Sequence, residues 1–413
     1  MKQIRVFDEH QRAIVVAPAG SRLLTGIGGL RQAIAPSVVV EASVEVQDDQ
    51  SNRWYRGSTG LVPAEDVVLI PQMMTRRPLP QPQQARVVVP GGTWATDPNQ
   101  QTARHWSLKA VLTVVATATS TVGDVFETVD HQFVASEDVW LTGTPMQFEI
   151  IRAVSQTVQV IASVPEPVLD DQLQLVTTQP PFAMVAVEAE LVDRLGDHYW
   201  RLKTGELMAK ANTVVVVTDL GLDTTAPILK LGAENINQNF WGMPNGCEPA
   251  ALLEGLHLEA QAATLSYGDF LQQMPISADY NPYHGFGGDP ATSVHGRFEA
   301  IFPTPLSRWA SRYATVRDLS GSTVSQLKQV VSQKNPVVAY VTVGFKTPEW
   351  AVYSFGKAVT NNHAVLIDGW FDQLIHVSDP IDGPYWLPVY RFAAAYNARY
   401  WAVGIMESTL TDA

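Results

Sequence analysis

The chain has a single cysteine, Cys247, in 413 residues. No intrachain disulfide can form, and no Cys/His grouping has the spacing of a structural zinc site, so packing alone must hold the fold. No stretch reaches the roughly 18 consecutive apolar residues of a membrane-spanning helix. No Gly-rich loop ending in Gly-Lys-Ser/Thr is present to hold a nucleotide phosphate. Basic charge is also scarce: Lys+Arg total 28 against 41 Asp+Glu, a net of −13, which argues against nucleic acid or anionic lipid as a partner. The opening residues, Met1 to Asp8, lack the apolar core of a signal peptide. The sequence is therefore compatible with a secreted or wall-associated protein whose signal has been removed, and with a cytoplasmic one.

What is present is the composition of a folded protein. Hydrophobic residues make up 46% and charged residues 17%, outside the disordered regime. At about 150 residues per domain the length suggests about three domains.

Residues 1–220 are rich in Val, Thr, Ala and Gln, with short apolar runs such as Val38-Val39-Val40 and Val214-Val215-Val216. That texture reads as all-β. One segment recurs: Gly60-Leu61-Val62-Pro63-Ala64-Glu65-Asp66-Val67 aligns with Gln132 to Val139 and again with Glu206 to Thr213. Each copy follows an aromatic-bearing strand (Trp54-Tyr55, Val125-Phe126, Tyr199-Trp200) and runs into another β-prone stretch. Three copies of one small barrel, over 1–72, 85–145 and 146–220, are the simplest account. The Pro/Gln-rich run from Pro71 to Gln84 reads as an extended connector between the first two. The repeated pattern resembles bacterial Src-homology-3-like modules, which implies cell-wall peptide or glycan binding; spacers or protein-binding units are the plainer alternative.

Beyond residue 220 the texture changes, and a domain over 226–413 is expected. Here Asn245-Gly246 forms a turn that delivers Cys247 to the start of a helix whose apolar positions are Ala250, Ala251, Leu252, Leu253 and Leu256. Unpaired backbone N–H groups and the helix dipole favour thiolate there. A thiolate nucleophile needs a base. His363 stands at the start of an apolar strand, and the stretch from Leu374 to Asp379 follows as its hairpin partner. Antiparallel pairing would let Asp379 accept from one ring nitrogen of His363 and turn the other toward Cys247. Asp368 or Asp372 would take that place if the register slipped. His257, ten residues after Cys247 on the same helix, is rotated away from the thiol; His284 and His295 read as loop residues.

The ordered set Gln238…Asn245-Gly246-Cys247-Glu248-Pro249-Ala250-Ala251-Leu252, Asn362-His363-Ala364-Val365 and Ser378-Asp379-Pro380 resembles the cysteine peptidases related to the double-glycine leader peptidases of bacteriocin exporters. The resemblance covers roughly 226–407. It implies a papain-like α+β domain, with Cys247 as nucleophile, His363 as general base and acid, Asp379 as the residue orienting His363, and Gln238 as an oxyanion donor. A loop residue bonded to backbone is the alternative for Gln238. No exporter or nucleotide-binding domain accompanies the motif set, which speaks against leader cleavage coupled to export.

The expectation is therefore a multi-domain protein, three small β-barrels followed by a papain-like cysteine peptidase. It would hydrolyse a peptide or isopeptide bond, for which a peptidoglycan peptide is a candidate, through an acyl-enzyme and without metal or cofactor. The barrels would target it to cell wall or substrate. The rival expectations are an acyl-transferring transpeptidase and a surface adhesion or scaffold protein with a vestigial peptidase domain.

Overall fold

A computed structural model describes residues 1–7, 11–25, 30–218 and 220–406; the last residues of the expected C-terminal domain, 407–413, and residue 219 lie outside these. The chain divides into two compact units, Met1–Thr144 and Pro145–Ala413.

The recurring segment has one local structure at all three positions. A central aromatic strand (Arg53–Gly57, Gly123–Thr128, His198–Leu202) pairs with a short strand (Gly60–Pro63, Phe133–Ala135, Leu207–Ala209). A three-residue 3₁₀ turn follows in each case (Ala64–Asp66, Ser136–Asp138, Lys210–Asn212), then a closing strand. The residue before each turn takes nearly the same backbone angles, φ −58 and ψ 133 at Pro63, −58 and 132 at Ala135, −59 and 135 at Ala209.

Two expectations are corrected. The sheets are open rather than closed barrels, because closure requires the first and last strands to pair. In the first unit, the six-stranded sheet runs from Lys2–Val6 to Leu30–Ile34 and the seven-stranded sheet from Thr102–Trp106 to Val139–Leu141, each path ending on edge strands. The Pro/Gln-rich run is not a connector but most of a long strand, Met73–Val87, antiparallel to Val111–Ser120. Its register breaks between Pro78 and Gln83. Proline cannot donate to a ladder, and the break takes Pro80 and Pro82 out of register while Pro78 stays opposite Ala116.

In the second unit the third repeat and the C-terminal residues share one sheet. The closing strand of the repeat, Thr213–Val215, lies parallel to Gly383–Pro388 through Val214 and Trp386. From there the order continues through Leu374–Asp379, Asn362–Phe371, Val337–Thr342, Ala402–Met406 and Thr315–Asp318. The inner strands are buried on both faces and alternate between two cores. Ala364 and Leu366 join the cluster containing Leu252, Leu253, Leu256, Phe270 and Trp309. Val365 and Ile367 join the one built from Leu327, Val331, Phe392 and Tyr396. Helix Cys247–Leu258 is buried over Cys247 to Leu256, as expected of a helix without a polar face.

Candidate active site

Helix packing places the cysteine. Cys247 is the first residue of its helix, and the preceding Gly246 carbonyl accepts from the Tyr267 hydroxyl at 2.7 Å. An added Cβ at Gly246 would lie 2.1 Å from that hydroxyl, so the turn requires glycine. The thiol is 5% exposed.

Sheet pairing places the partners. Strands Asn362–Phe371 and Leu374–Asp379 form the expected hairpin, with Leu366 opposite Ser378 and a bulge between Ile367 and Gly369. His363 Nε2 and Asp379 Oδ1 are 2.7 Å apart, both residues buried. Asp379 also accepts from the backbone of Ile381 at 2.9 Å and of Asp382 at 3.3 Å, and from the Tyr385 hydroxyl at 3.3 Å. Asp368 pairs instead with His376, and Asp372 accepts from the backbone of Asp223. The bulge settles which aspartate faces His363.

Cys247, His363 and Gln238 line one cleft of about 240 Å³, with Asn245, Arg297, Glu299, Tyr353 and Asn361 among its walls. His363 Nδ1 is buried and without a hydrogen-bond partner. Gln238 is buried, its Nε2 donating to the Pro244 carbonyl at 2.7 Å and its backbone N–H to Pro380 at 2.8 Å. His257 donates to the Leu265 carbonyl, and His284 pairs with Asp279 at the surface.

The sequence reading missed Glu248. This carboxyl is fully buried; Oε2 accepts from Cys247 Sγ at 3.3 Å and Oε1 from Asn362 Nδ2 at 2.8 Å. Arg399 in turn donates to Asn362 Oδ1. An acidic residue in a first helical turn is commonplace, and nothing local in the sequence signals that this one turns inward.

These contacts set the electrostatics. Burial and the Glu248 carboxylate beside it push the Cys247 thiol well up, against a hydrogen bond from the Ala364 backbone. Burial and Glu248 thus oppose the thiolate that the helix terminus by itself would favour. Burial also raises Glu248, against the Asn362 hydrogen bond. For His363, burial acts downward, but the charge and hydrogen bond of Asp379, with Glu248 adding to them, raise it overall. Burial acts upward on Asp379, and His363 with the two backbone donors holds it low. Among the described residues, no group of three or more His, Cys, Asp or Glu could hold a metal ion.

A cysteine at a helix N-terminus, lining a cleft shared with a carboxylate-anchored histidine on an antiparallel sheet, brings together the groups that nucleophilic thiol chemistry needs, a sulfur and a positioned base. Residues 230–403 match the Peptidase_C39 like family, so a C39-like domain forms the C-terminal part of this multi-domain, strand-rich protein. The uncharacterized protein YvpB of Bacillus subtilis (strain 168) is 28% identical over 152 residues, 33% of this chain. The chain spans 58% of that relative's length. Among solved structures, a C39-like peptidase from Bacillus anthracis aligns at 19% identity and TM-score 0.38, covering 44% of this chain and 98% of its own. An autolysin from Listeria monocytogenes aligns at 10% identity and TM-score 0.16, covering 52% and 96%.

Proposed function

We propose that the protein is a cysteine peptidase that cleaves a peptide or isopeptide bond through a Cys247–His363–Asp379 triad and an acyl-enzyme. The observation that carries this reading is the placement of His363: Asp379 holds one ring nitrogen at 2.7 Å, and the other is left unpartnered in the cleft that Cys247 also lines.

In the proposed cycle the thiol leaves Glu248 and gives its proton to His363 Nδ1, and the sulfur attacks the scissile carbonyl carbon. The oxyanion is held by the Cys247 backbone N–H and by the second amide hydrogen of Gln238, whose first is engaged with Pro244. His363 then protonates the leaving amine, and water, deprotonated by the same imidazole, hydrolyses the thioester to acid and free thiol. Asp379 keeps the imidazole in the tautomer that accepts at Nδ1. A peptidoglycan peptide is the proposed substrate. The repeats ending near residues 72, 145 and 220 are proposed to target the enzyme to cell wall or substrate; wall targeting would go with an extracellular protein whose signal has been removed, substrate targeting also with a cytoplasmic one.

The test is alkylation of Cys247 by iodoacetamide across pH, with the adduct located by mass spectrometry, alongside hydrolysis of cell-wall peptides. Cys247→Ala should abolish hydrolysis, and His363→Ala should slow alkylation near neutral pH. Asp379→Asn should cost about 10⁴-fold in kcat, the effect of losing the orienting carboxylate in a comparable triad. Equal alkylation of wild type and His363→Ala, with hydrolysis surviving in Cys247→Ala, refutes the reading. An added amine appearing in the product would assign acyl transfer instead of hydrolysis.

A further inference from the structure

The third repeat reaches the loops that carry Gln238 and Asp379, and it does so with buried polar side chains. Asn237 precedes Gln238. Its Oδ1 accepts from the backbone N–H of Asn239 at 3.0 Å and of Phe240 at 3.1 Å, closing the turn. That use of the oxygen fixes the amide's orientation. Its Nδ2 must then donate, and the acceptor is Nε2 of His198 at 3.1 Å. The tautomer of His198 follows: its proton is on Nδ1, which faces Glu190 Oε1 at 3.5 Å. His198, on a strand of the third repeat, is 4% exposed.

A second strap runs to the Asp379 loop. Lys210, in the 3₁₀ turn of the same repeat, is 3% exposed and donates to the Asp382 carbonyl at 2.6 Å. The N–H of Asp382 bonds Asp379. The Lys210 ammonium also lies 4.7 Å from the ring centre of Tyr385, whose hydroxyl donates to Asp379 Oδ2. Gly383 follows with φ +73, and a Cβ there would come within 2.5 Å of the His198 ring. Glu190, fully buried, accepts from Lys210 and from Arg152 and anchors both straps.

We propose that the repeat over 146–220 is a working part of the active site, with His198 and Lys210 as positioning residues for the loops that bear Gln238 and Asp379. This rests on the peptidase reading above. Side chains committed to holding a substrate-targeting module in place would suffice at the periphery of a domain. These are instead spent on the residue before the oxyanion donor and on the residues after the orienting carboxylate. On this view the C-terminal domain requires the repeat for turnover as well as for targeting.

The experiment uses the full chain and follows kcat and KM for cell-wall peptide hydrolysis, iodoacetamide alkylation of Cys247, and thermal unfolding. His198→Leu removes the acceptor for Asn237. The expected result is a loss of 10-fold or more in kcat with KM within twofold and alkylation unchanged, because the Cys247–His363 pair is untouched. His198→Gln, whose carbonyl can accept from Asn237, should restore most of kcat. In a Gln238→Ala background, itself costing about 10²–10³ in kcat, His198→Leu should cost little more, since the residue it positions is gone. If His198→Leu fails to fold, Asn237→Ser keeps a hydroxyl acceptor for the turn and is too short to reach His198, and the same comparisons apply. Wild-type kcat in the folded variant, or full additivity with Gln238→Ala, overturns the proposal while leaving the peptidase reading intact. Hydrolysis that survives Cys247→Ala overturns that reading, and this inference with it.

Discussion

Replacing Glu248 by Gln isolates the contact that most opposes a thiolate in the resting site. The carboxylate oxygen lies 3.3 Å from Cys247 Sγ in a fully buried setting. Two unit charges about 4 Å apart repel by roughly 4 kcal/mol at an effective dielectric of about 20. The real cost of the pair is smaller, because Asn362 and, behind it, Arg399 draw charge away, and because burial raises Glu248 toward its neutral form. A remainder of about 1.4–3 kcal/mol corresponds to roughly 10- to 100-fold in thiolate population. The substitution should also add a donor. Asn362 Nδ2 occupies one position and requires an acceptor there, which orients the new carbonyl toward Asn362 and the new NH₂ toward sulfur. Both effects favour thiolate. Iodoacetamide should therefore label Cys247 about 10- to 100-fold faster in Glu248→Gln than in wild type at pH 7. The gap should close as pH falls, since Glu248 itself takes up a proton. Equal or slower labelling of the variant across pH 5–8, with unchanged thermal unfolding, refutes the reasoning.

Two predictions concern stability. Glu190 is held down to about 2 in the fold; burial acts against this, and His198, Lys210 and Arg152 outweigh it. A lowered carboxylate stabilises the fold above its unfolded value and loses that contribution as pH falls through the folded one, so on the order of 3 kcal/mol should disappear between about pH 4.5 and 2. Denaturant titrations at stepped pH should show a shallower slope for Glu190→Gln over that window, and an identical slope would remove Glu190 as the cause. Gly383→Ala combines a positive φ with a Cβ driven into the His198 ring, and should cost at least about 2 kcal/mol from backbone strain and overpacking. A melting temperature within one degree of wild type would contradict that placement.

Much of the local structure is legible in the sequence. The three repeat segments share one strand–turn–strand geometry because the signal lies within about ten residues: an aromatic strand, an apolar pair, a short turn and a β-branched close. The helix start at Cys247 and the hairpin carrying His363 and Asp379 were readable for the same reason, since turn residues and periodicity are local. The Pro/Gln-rich run is not legible as a strand, because proline composition normally marks a linker. Here a register break in a strand accommodates Pro80 and Pro82.

Local sequence was enough for the helix at Cys247, the hairpin of His363 and the repeated strand–turn–strand segments, though not for the strand Met73–Val87, and it set the order of Gln238, Cys247, His363 and Asp379 along the chain. Tertiary structure decided what those residues meet. It chose Asp379 over Asp368 for His363 through a bulge, and turned Glu248 inward onto the thiol. It also left the repeats as open sheets and joined the third one to the sheet that carries His363 and Asp379 through Val214 and Trp386. The physical reason is range. Periodicity and capping act over a few residues, whereas Asn362–Glu248 and Lys210–Asp382 join positions 114 and 172 apart, and only the packed fold brings such groups within hydrogen-bonding distance.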